Sequence, residues 1–306
     1  MSYKIGIDGG GTKTEYALFS DSSKPLFNLI GCKSNHEVLD DGIPEAAKIL
    51  HQGISKLLSI ANLTLQDIEK VSMGLAGMDH PSQIKEMKQQ LLKYKIHSPI
   101  ICNDGFLIIK AGSPTGYGIG YNAGTGTCCN AIDDKGNMMQ LGGFSEFSGD
   151  VGNANWNATR TFRAVYDDVV LHIEKSMLTE EYYKTFALSN TEEFVASVEY
   201  LQTDHENNNI PILNQILFDC IQKGDAAALR ILTEITDRAS DFIACLALKM
   251  TELKEPIPVI LSGSVHQKQN CSYYMDMLKE KSVLKCGKQL SFHILDCPPV
   301  TGAYYL

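Results

Sequence analysis

A glycine-rich hairpin pattern occurs twice in this chain, and it constrains the fold more than any other feature. The two runs are Tyr3-Lys-Ile-Gly-Ile-Asp-Gly-Gly-Gly-Thr12 and Tyr117-Gly-Ile-Gly-Tyr-Asn-Ala-Gly-Thr-Gly126, which align without a gap. In both, an alternating apolar run leads into a glycine and threonine turn and then into a second strand-like run, at 14–19 and 127–132. Glycine leaves the N–H groups of a turn uncovered, so consecutive amides can converge on an anion. The repetition predicts a duplicated domain that holds phosphate between its halves.

The length of 306 residues accommodates two domains of ordinary size, each with its own core. We predict an α/β protein whose first domain spans 1–115 and whose second spans 116–306. The first half reads as three antiparallel strands followed by alternating helices and strands. The second half restarts with the hairpin and carries a helical insertion at about 153–250, which begins with a helix over 153–175 and has a polar break at 205–209.

The acidic balance of the chain limits its partners. A net charge of −9 and a pI near 5.4 argue against nucleic acids and anionic membranes, which bind basic faces. ATP stays compatible, since backbone amides and a metal ion can hold its phosphates. No signal peptide or apolar run of about 18 to 20 residues is apparent, so we expect a cytoplasmic protein. The nine cysteines form no Cys-x-x-Cys pair, which favours reduced thiols over a zinc site.

The turn of the first hairpin carries the strongest local signal for a ligand. It is not a Walker A loop, because no Gly-Lys-Ser/Thr follows at the required spacing and the turn joins two strands. The amides of Gly10 and Gly11 can still face the phosphates of ATP, while Thr12 and Lys13 add a hydroxyl and a positive charge. Asp8, at the strand end, is placed to hold Mg²⁺ through water.

Asp104 follows a short apolar strand at 100–102 and precedes a glycine, which puts its carboxylate at the carboxyl edge of the predicted sheet. In an open α/β sheet this edge faces the ligand crevice. A carboxylate there suits a general base that takes a proton from an attacking hydroxyl. Asn103 or Asp104 would serve equally well as the N-cap of a following helix. The local sequence leaves both interpretations open.

Three further polar sites have a similar dual interpretation. Asp150 precedes a helix, and it either caps that helix or accepts hydrogen bonds from sugar hydroxyls. Asn35 lies in a polar loop after the third strand, where specificity contacts and plain exposure are both expected. The run Ser262-Gly263-Ser264 ends an apolar strand, as a nucleotide-contacting turn would.

Seven short motifs occur in order between residues 6 and 265 and so cover most of the chain. They are Gly6-Ile-Asp-Gly-Gly-Gly-Thr-Lys-Thr14, Lys33-Ser-Asn-His36, Gly74-Leu-Ala-Gly77, Asn103-Asp-Gly105, Gly124-Thr-Gly126, Gly142-Gly143 with Gly149-Asp-Val-Gly152, and Ser262-Gly-Ser-Val265. This order resembles the sugar kinase/Hsp70/actin superfamily, and within it the branch of N-acetylglucosamine kinases and BadF/BadG-type ATPases.

The resemblance implies two RNase H-like domains, ATP and Mg²⁺ in the cleft between them, and hinge closure around a sugar. Carried over by position, it makes Asp104 the base that activates the sugar hydroxyl. The positions that it assigns to the sugar are Asn35, Gly77, Asp104, Thr127, Gly143 and Asp150. The positions that it assigns to the nucleotide are Gly10, Gly11, Thr12, Lys13, Thr125, Gly126, Gly263 and Ser264.

The chain departs from the family pattern on the sugar side. The common Gly-Thr-Gly-Ser becomes Gly-Thr-Gly-Thr-Cys at 124–128, so Cys128 replaces a possible sugar-contacting side chain. The loop at 144–151 also differs from the usual glycine- and tryptophan-containing sequence. The prediction is an ATP-dependent kinase of N-acetylglucosamine or a related amino sugar.

Two alternatives stay open at this point. One is a BadF-type activator, whose iron–sulfur cluster needs cysteine ligands, although the scattered cysteines show no cluster pattern. The other is a sugar sensor that has lost turnover through its altered loop. Family members are commonly dimers, so the sequence also leaves a homodimer open.

Overall fold

The structure, a computed structural model, describes residues 2–202, 209–250, 254–269 and 271–306. These residues form ten β-strands, eleven α-helices and four short 3-10 helices, the last of them at Pro299–Tyr305. The strands are β1 Tyr3–Gly9, β2 Thr14–Phe19, β3 Phe27–Gly31, β4 Ile68–Leu75, β5 Ile100–Cys102, β6 Gly118–Ala123, β7 Thr127–Ile132, β8 Met138–Gly142, β9 Ile257–Ser262 and β10 Leu290–Ile294. The α-helices are α1 Ile43–Ala61, α2 Pro81–Leu92, α3 Gly105–Gly112, α4 Ala154–Val169, α5 Met177–Phe186, α6 Thr191–Ala196, α7 Val198–Gln202, α8 Asn209–Gln222, α9 Ala226–Lys249, α10 Ser264–Lys268 and α11 Ser272–Cys286.

The strands form two five-stranded sheets with the same internal order. The first runs β3-β2-β1-β4-β5 and the second runs β8-β7-β6-β9-β10. In the first, β1 pairs antiparallel with β2 and parallel with β4. In the second, β6 pairs antiparallel with β7 and parallel with β9. The predicted α/β class is confirmed, and the repeated hairpin is the visible start of a repeated sheet.

Both hairpins close at the expected turns. Gly9 stands opposite Thr14 in the first hairpin, and Ala123 stands opposite Thr127 in the second. The apolar residues of β1 face the core, where Ile5 and Ile7 are buried. Such alternation orients each strand and fixes its register, because a shift by one residue would turn the apolar side chains to the other face.

Helices cover the two sheets with apolar stripes at helical spacing. On α1, Leu50, Ile54 and Leu57 are fully buried, in one cluster with Ile5 and Ile7 of β1. In the second half the long helix α9 contributes the largest share of the core, together with residues of α4, α8 and α11. The predicted helical insertion is therefore part of the second core rather than a separate layer.

The C-terminal 3-10 helix returns to the first sheet and packs on β1 and α3. Val300 lies in a cluster with Ala17 and Phe19 of β2. Gly302 packs against the backbone of Leu107 so closely that a Cβ at this position would overlap it. The C-terminal 3-10 helix therefore belongs to the packing of the first half.

The sequence-based elements differ from the structure at two places. The strand β8 was not predicted. The helix expected over 153–175 ends at 169, because the chain turns at His172, whose φ is +53°. The predicted polar break lies outside the described residues except for its last residue, which begins α8. The predicted division between 115 and 116 falls in the turn between α3 and β6 and stays a prediction. No helix in the described ranges is long and apolar enough to cross a membrane.

Candidate active site

The turn between β1 and β2 lies at the edge of the first sheet, where two other loops meet it. The turn is closed by a hydrogen bond from Gly10 N to Lys13 O at 3.0 Å. Gly10 O accepts from the backbone N–H groups of Ser34 and Asn35 at 3.3 Å each, and Gly9 O accepts from Ala76 N at 2.8 Å. The residues between, Gly11 to Lys13, are exposed, so their amides lie on the side open to a ligand.

The turn between β6 and β7 lies at the matching edge of the second sheet. Gly124 N donates to Gly126 O at 2.9 Å, and Gly124 O accepts from Ala154 N at 2.9 Å. Gly263 packs against this turn with a φ of +93°, and a side chain there would overlap the carbonyl of Ala123. The structure therefore brings Thr125, Gly126, Gly263 and Ser264 together. No hydrogen bond between described residues joins this turn to the turn of the first sheet.

Asp104 is both a helix cap and a cleft residue. It directly precedes α3, and its Oδ1 accepts from Gly105 N at 3.0 Å. Burial raises the pKa of Asp104 from 3.8 to about 6, with the hydrogen bond from Gly105 lowering it and the charge of Asp79 raising it further. The two interpretations of this residue are therefore compatible. A carboxylate with a pKa near 6 is ionised at neutral pH and is basic enough to accept a proton during a reaction.

Asp8 lies close enough to Asp104 for the charge of Asp104 to raise its pKa. Burial raises the pKa of Asp8 to about 8, and the negative charges of Asp104 and Glu15 add to the increase, while the charge of Lys13 opposes it. Two partly buried carboxylates close enough to repel each other favour a positive charge between or beside them. A cation bound at Asp8 would provide this positive charge.

The donor set fits a magnesium ion better than a metal held by protein side chains alone. Among the described residues no three His, Cys, Asp or Glu side chains come together as a metal-ligand set. Mg²⁺ keeps several waters and is usually held by one or two carboxylates plus substrate phosphates. Asp8, the carboxylate at the end of β1, is the residue that would hold it.

Asn35 and Gly77 lie side by side at the same edge. A Cβ on Gly77 would stand 2.7 Å from Asn35 Oδ1, so the two loops touch only because residue 77 is glycine. Asn35 Oδ1 accepts from Glu37 N at 2.9 Å, which starts a 3-10 turn and orients the amide. Two of the three sugar positions expected in the first half, Asn35 and Gly77, are thus brought together.

Asp150 organises the loop that follows β8. Its Oδ2 accepts from Gly143 N at 2.9 Å and its Oδ1 accepts from Ser148 Oγ at 2.8 Å. The cap of α4 is Asn153 instead, whose Oδ1 accepts from Trp156 N at 3.0 Å. The helix-cap interpretation of Asp150 is therefore wrong. Its role in binding a sugar stays a prediction, with Gly143 held next to it.

Thr127 and Cys128 are the first two residues of β7. Thr127 Oγ1 donates to Val151 O at 3.2 Å, which ties the hairpin to the loop of Asp150. Burial raises the pKa of the Cys128 thiol well above its usual range, and the negative charges of Asp104, Asp79 and Asp150 contribute. Cys128 thus presents a neutral thiol among three carboxylates.

Three further polar residues lie in the same site and were not predicted from the sequence. They are Asp79, Gln140 and Asn130. Asp79 Oδ1 accepts from Asn103 Nδ2 at 2.9 Å and from Gln140 Nε2 at 2.8 Å. Asn130 is fully buried, and its Nδ2 donates to Asn103 Oδ1 at 3.4 Å. The sequence offered one signal for Asp79, which is its position two residues after Gly77, the end of the Gly-Leu-Ala-Gly motif.

Among known proteins, two kinases are similar to this chain in sequence and one solved structure is similar in fold. The chain is 26% identical over 238 residues to an N-acetylmuramic acid/N-acetylglucosamine kinase of Clostridium acetobutylicum, covering 76% of each chain. It is 22% identical over 321 residues to an N-acetyl-D-glucosamine kinase of Dictyostelium discoideum, covering 99% of this chain and 96% of that one. A provisionally assigned N-acetylglucosamine kinase of Chromobacterium violaceum has a similar fold, with a TM-score of 0.67 at 19% identity, covering 100% of this chain and 98% of that one.

A family model also matches most of the chain. The model of the BadF/BadG/BcrA/BcrD ATPase family matches residues 5–291. That range contains most of both sheets, both glycine turns and Asp104. The family that the motif order predicted is therefore confirmed, as is its fold of two sheets of the actin-like ATPase type. This chain belongs to the BadF/BadG/BcrA/BcrD ATPase family.

Proposed function

We propose that this chain is an ATP-dependent kinase that phosphorylates a hydroxyl group of N-acetylglucosamine or a closely related amino sugar. The observation that carries the proposal is Asp104, a partly buried carboxylate with a pKa of about 6 at the carboxyl edge of the first sheet. A general base is most effective when its pKa lies near the working pH, because it must be ionised beforehand and basic during the transfer.

In the proposed reaction Asp104 accepts the proton of the sugar hydroxyl while the hydroxyl oxygen attacks the γ-phosphorus of ATP and ADP leaves. Phosphoryl transfer needs positioning and charge stabilisation more than covalent chemistry. The amide of Gly11 and the side chains of Thr12 and Lys13 would hold the phosphates, next to Gly10, whose own N–H group closes the turn. Asp8 would hold Mg²⁺, which supplies positive charge to the phosphates when bound.

The remaining nucleotide contacts are proposed from the second sheet. Thr125, Gly126, Gly263 and Ser264 lie together at its edge and are available to cover the nucleotide from that side. The proposal for an amino sugar draws on the two kinases to which this chain is similar in sequence.

On the sugar side we propose contacts from Asn35, Gly77, Thr127, Gly143 and Asp150. The loop geometry supports this set, because Asp150 orients Gly143 and Asn35 touches Gly77. We further propose that the enzyme works in the cytoplasm with ATP, Mg²⁺ and a small sugar as its only obligatory partners. A homodimer would be compatible with this mechanism but is not needed for it.

A screen of ADP release over hexoses, hexosamines, N-acetyl hexosamines and muramic acid derivatives tests the proposal. We expect ADP release with one of the N-acetylated amino sugars, and a new sugar phosphate signal by ³¹P NMR in equal amount. Tight sugar binding without ADP release would favour a sensor instead. A visible absorbance band in anaerobically purified protein would favour an iron–sulfur activator.

A further inference from the structure

Asp79 connects the two sheets through a single carboxylate oxygen. Its Oδ1 accepts from Asn103 Nδ2 at 2.9 Å and from Gln140 Nε2 at 2.8 Å. Asn103 directly follows β5 of the first sheet, whereas Gln140 lies in β8 of the second. Hydrogen bonds to an ionised acceptor are stronger than neutral ones, so this bridge fixes the position of both amides.

One end of the bridge lies beside the proposed base. Asn103 is only 6% exposed, and its Oδ1 accepts from Gly105 N at 2.9 Å, the same N–H group that Asp104 Oδ1 contacts. Asn130 holds Asn103 from the second sheet. The side chain of Asn103 is therefore held on both sides, and the start of α3, where Asp104 lies, is held with it.

The other end lies beneath the loop that we propose to bind the sugar. A Cβ on Gly143 would stand 3.1 Å from Gln140 Nε2 and 3.8 Å from Cys128 Cβ. A displaced Gln140 side chain would thus alter the surface next to Gly143 and Cys128.

The loop that carries Asp79 is anchored as well. The backbone N–H groups of Asp79 and His80 donate to Gln83 Oε1 at 3.0 and 2.8 Å. Gln83 Nε2 lies 3.3 Å from His36 Nε2, next to Asn35. The carboxylate is therefore part of a fixed frame rather than of a loose loop.

Resting on the kinase function proposed above, we propose that Asp79 is a positioning residue for sugar phosphorylation. Its Oδ1 holds Asn103 beside the base and Gln140 beneath the sugar loop. The distance between the base and the sugar is thereby kept constant. Asp79 acts through these two amides. Its removal would take the shared acceptor away from Asn103 Nδ2 and Gln140 Nε2 and would leave the longer contact of 3.4 Å from Asn130 Nδ2 to Asn103 Oδ1 to connect the two sides.

A double-mutant cycle on the bridge tests this role. We expect Asp79→Ala and Gln140→Ala each to lower kcat for sugar phosphorylation by about 10- to 100-fold, because a misplacement near 1 Å can cost that much. The KM for ATP should change by less than about 3-fold, since the nucleotide turns are untouched. The double variant should fall no further than the worse single variant, because both remove the same hydrogen bond. Asp79→Asn keeps the acceptor Oδ1 and should regain at least about tenfold over Asp79→Ala.

The matched control is Asp21→Ala, which removes an exposed carboxylate between β2 and β3. The proposal is overturned if the fold-losses in kcat of the two single variants multiply in the double variant. It is also overturned if Asp79→Ala and Gln140→Ala keep the same kcat as Asp21→Ala. If the wild-type protein phosphorylates no sugar, the proposed function fails. The Tm values of the same three variants then still test whether Asp79 and Gln140 are connected by the hydrogen bond. A Tm loss in the double variant equal to the sum of the single losses overturns the bridge, and a smaller loss supports it.

Discussion

Asp104 satisfies a structural and a chemical demand with one side chain. Its Oδ1 caps α3 by accepting a hydrogen bond from Gly105 N. Its negative charge also raises the pKa of Asp8. A carboxylate has about four acceptor positions, so one capping hydrogen bond leaves room for a substrate hydroxyl. The cap also fixes the direction of the carboxylate, which a general base needs as much as a suitable pKa.

The first residue-scale prediction concerns this carboxylate. We expect Asp104→Asn to lower kcat for sugar phosphorylation by at least about 10²-fold, because a positioned base contributes about 10² to 10⁴. ATP affinity, measured by calorimetry, should be nearly unchanged. In the wild type kcat/KM should fall about tenfold per pH unit below about pH 6, since protonation removes the base. A variant that keeps most of the wild-type rate, or a wild-type profile that is flat down to about pH 5, would show that Asp104 is not the base.

The residues of the proposed site differ in how far the sequence predicts them. Asp104 could be predicted, because an apolar strand followed by Asp and Gly places the carboxylate at a sheet edge. The bridge from Asp79 to Gln140 could not, because it joins residues 61 positions apart in two different sheets. Such a contact depends on how the sheets face each other, and no local pattern encodes that arrangement.

At the scale of elements, glycine turns and alternating strands were predictable, whereas β8 was not. The residues Met138 to Gly142 form a strand because they pair with β7, not because of a strong pattern of their own. The loop after β8 is held from outside by α9, since Arg238 Nε donates to Gly149 O at 3.1 Å and its Nη2 donates to Ser148 O. The Arg238 guanidinium also lies 4.5 Å from the ring centre of Phe242. This helix therefore sets the shape of the proposed sugar loop.

The element-scale prediction tests that restraint. We expect Arg238→Met to raise KM for the sugar by about tenfold or more, because hydrogen bonds from a charged donor contribute about 1.5–3 kcal/mol and about 1.4 kcal/mol corresponds to tenfold in affinity. The KM for ATP should stay within about 2-fold, since the glycine turns do not contact this side chain. Steady-state kinetics with both substrates measures the difference. Arg163→Met on the exposed side of α4 is the control, and equal sugar KM values for the two variants would contradict the prediction.

At the scale of the whole molecule, α3 is the element that both halves share. Its Phe106 and Ile109 cluster with Cys102 of the first sheet and Ile132 of the second, and its Ile108 clusters with Ile260 of β9. The C-terminal 3-10 helix covers another side of α3 and of β1. Asp104, the proposed base at the start of α3, is therefore placed by contacts from both sheets and from the C-terminal 3-10 helix.

The tight contact between the chain end and α3 yields a prediction for the whole molecule. We expect Gly302→Ala to lower Tm by a few degrees, because the new Cβ would overlap the carbonyl of Leu107 and overpacking typically costs about 1–3 kcal/mol. The same shift of α3 should lower kcat for sugar phosphorylation, since Asp104 moves with the helix. Gly126→Ala in ligand-free protein is the stability control, because no atom lies within 4 Å of its added Cβ. Calorimetric scans of the two variants decide the matter: a Gly302→Ala protein as stable as Gly126→Ala would mean that the chain end does not hold α3 in place.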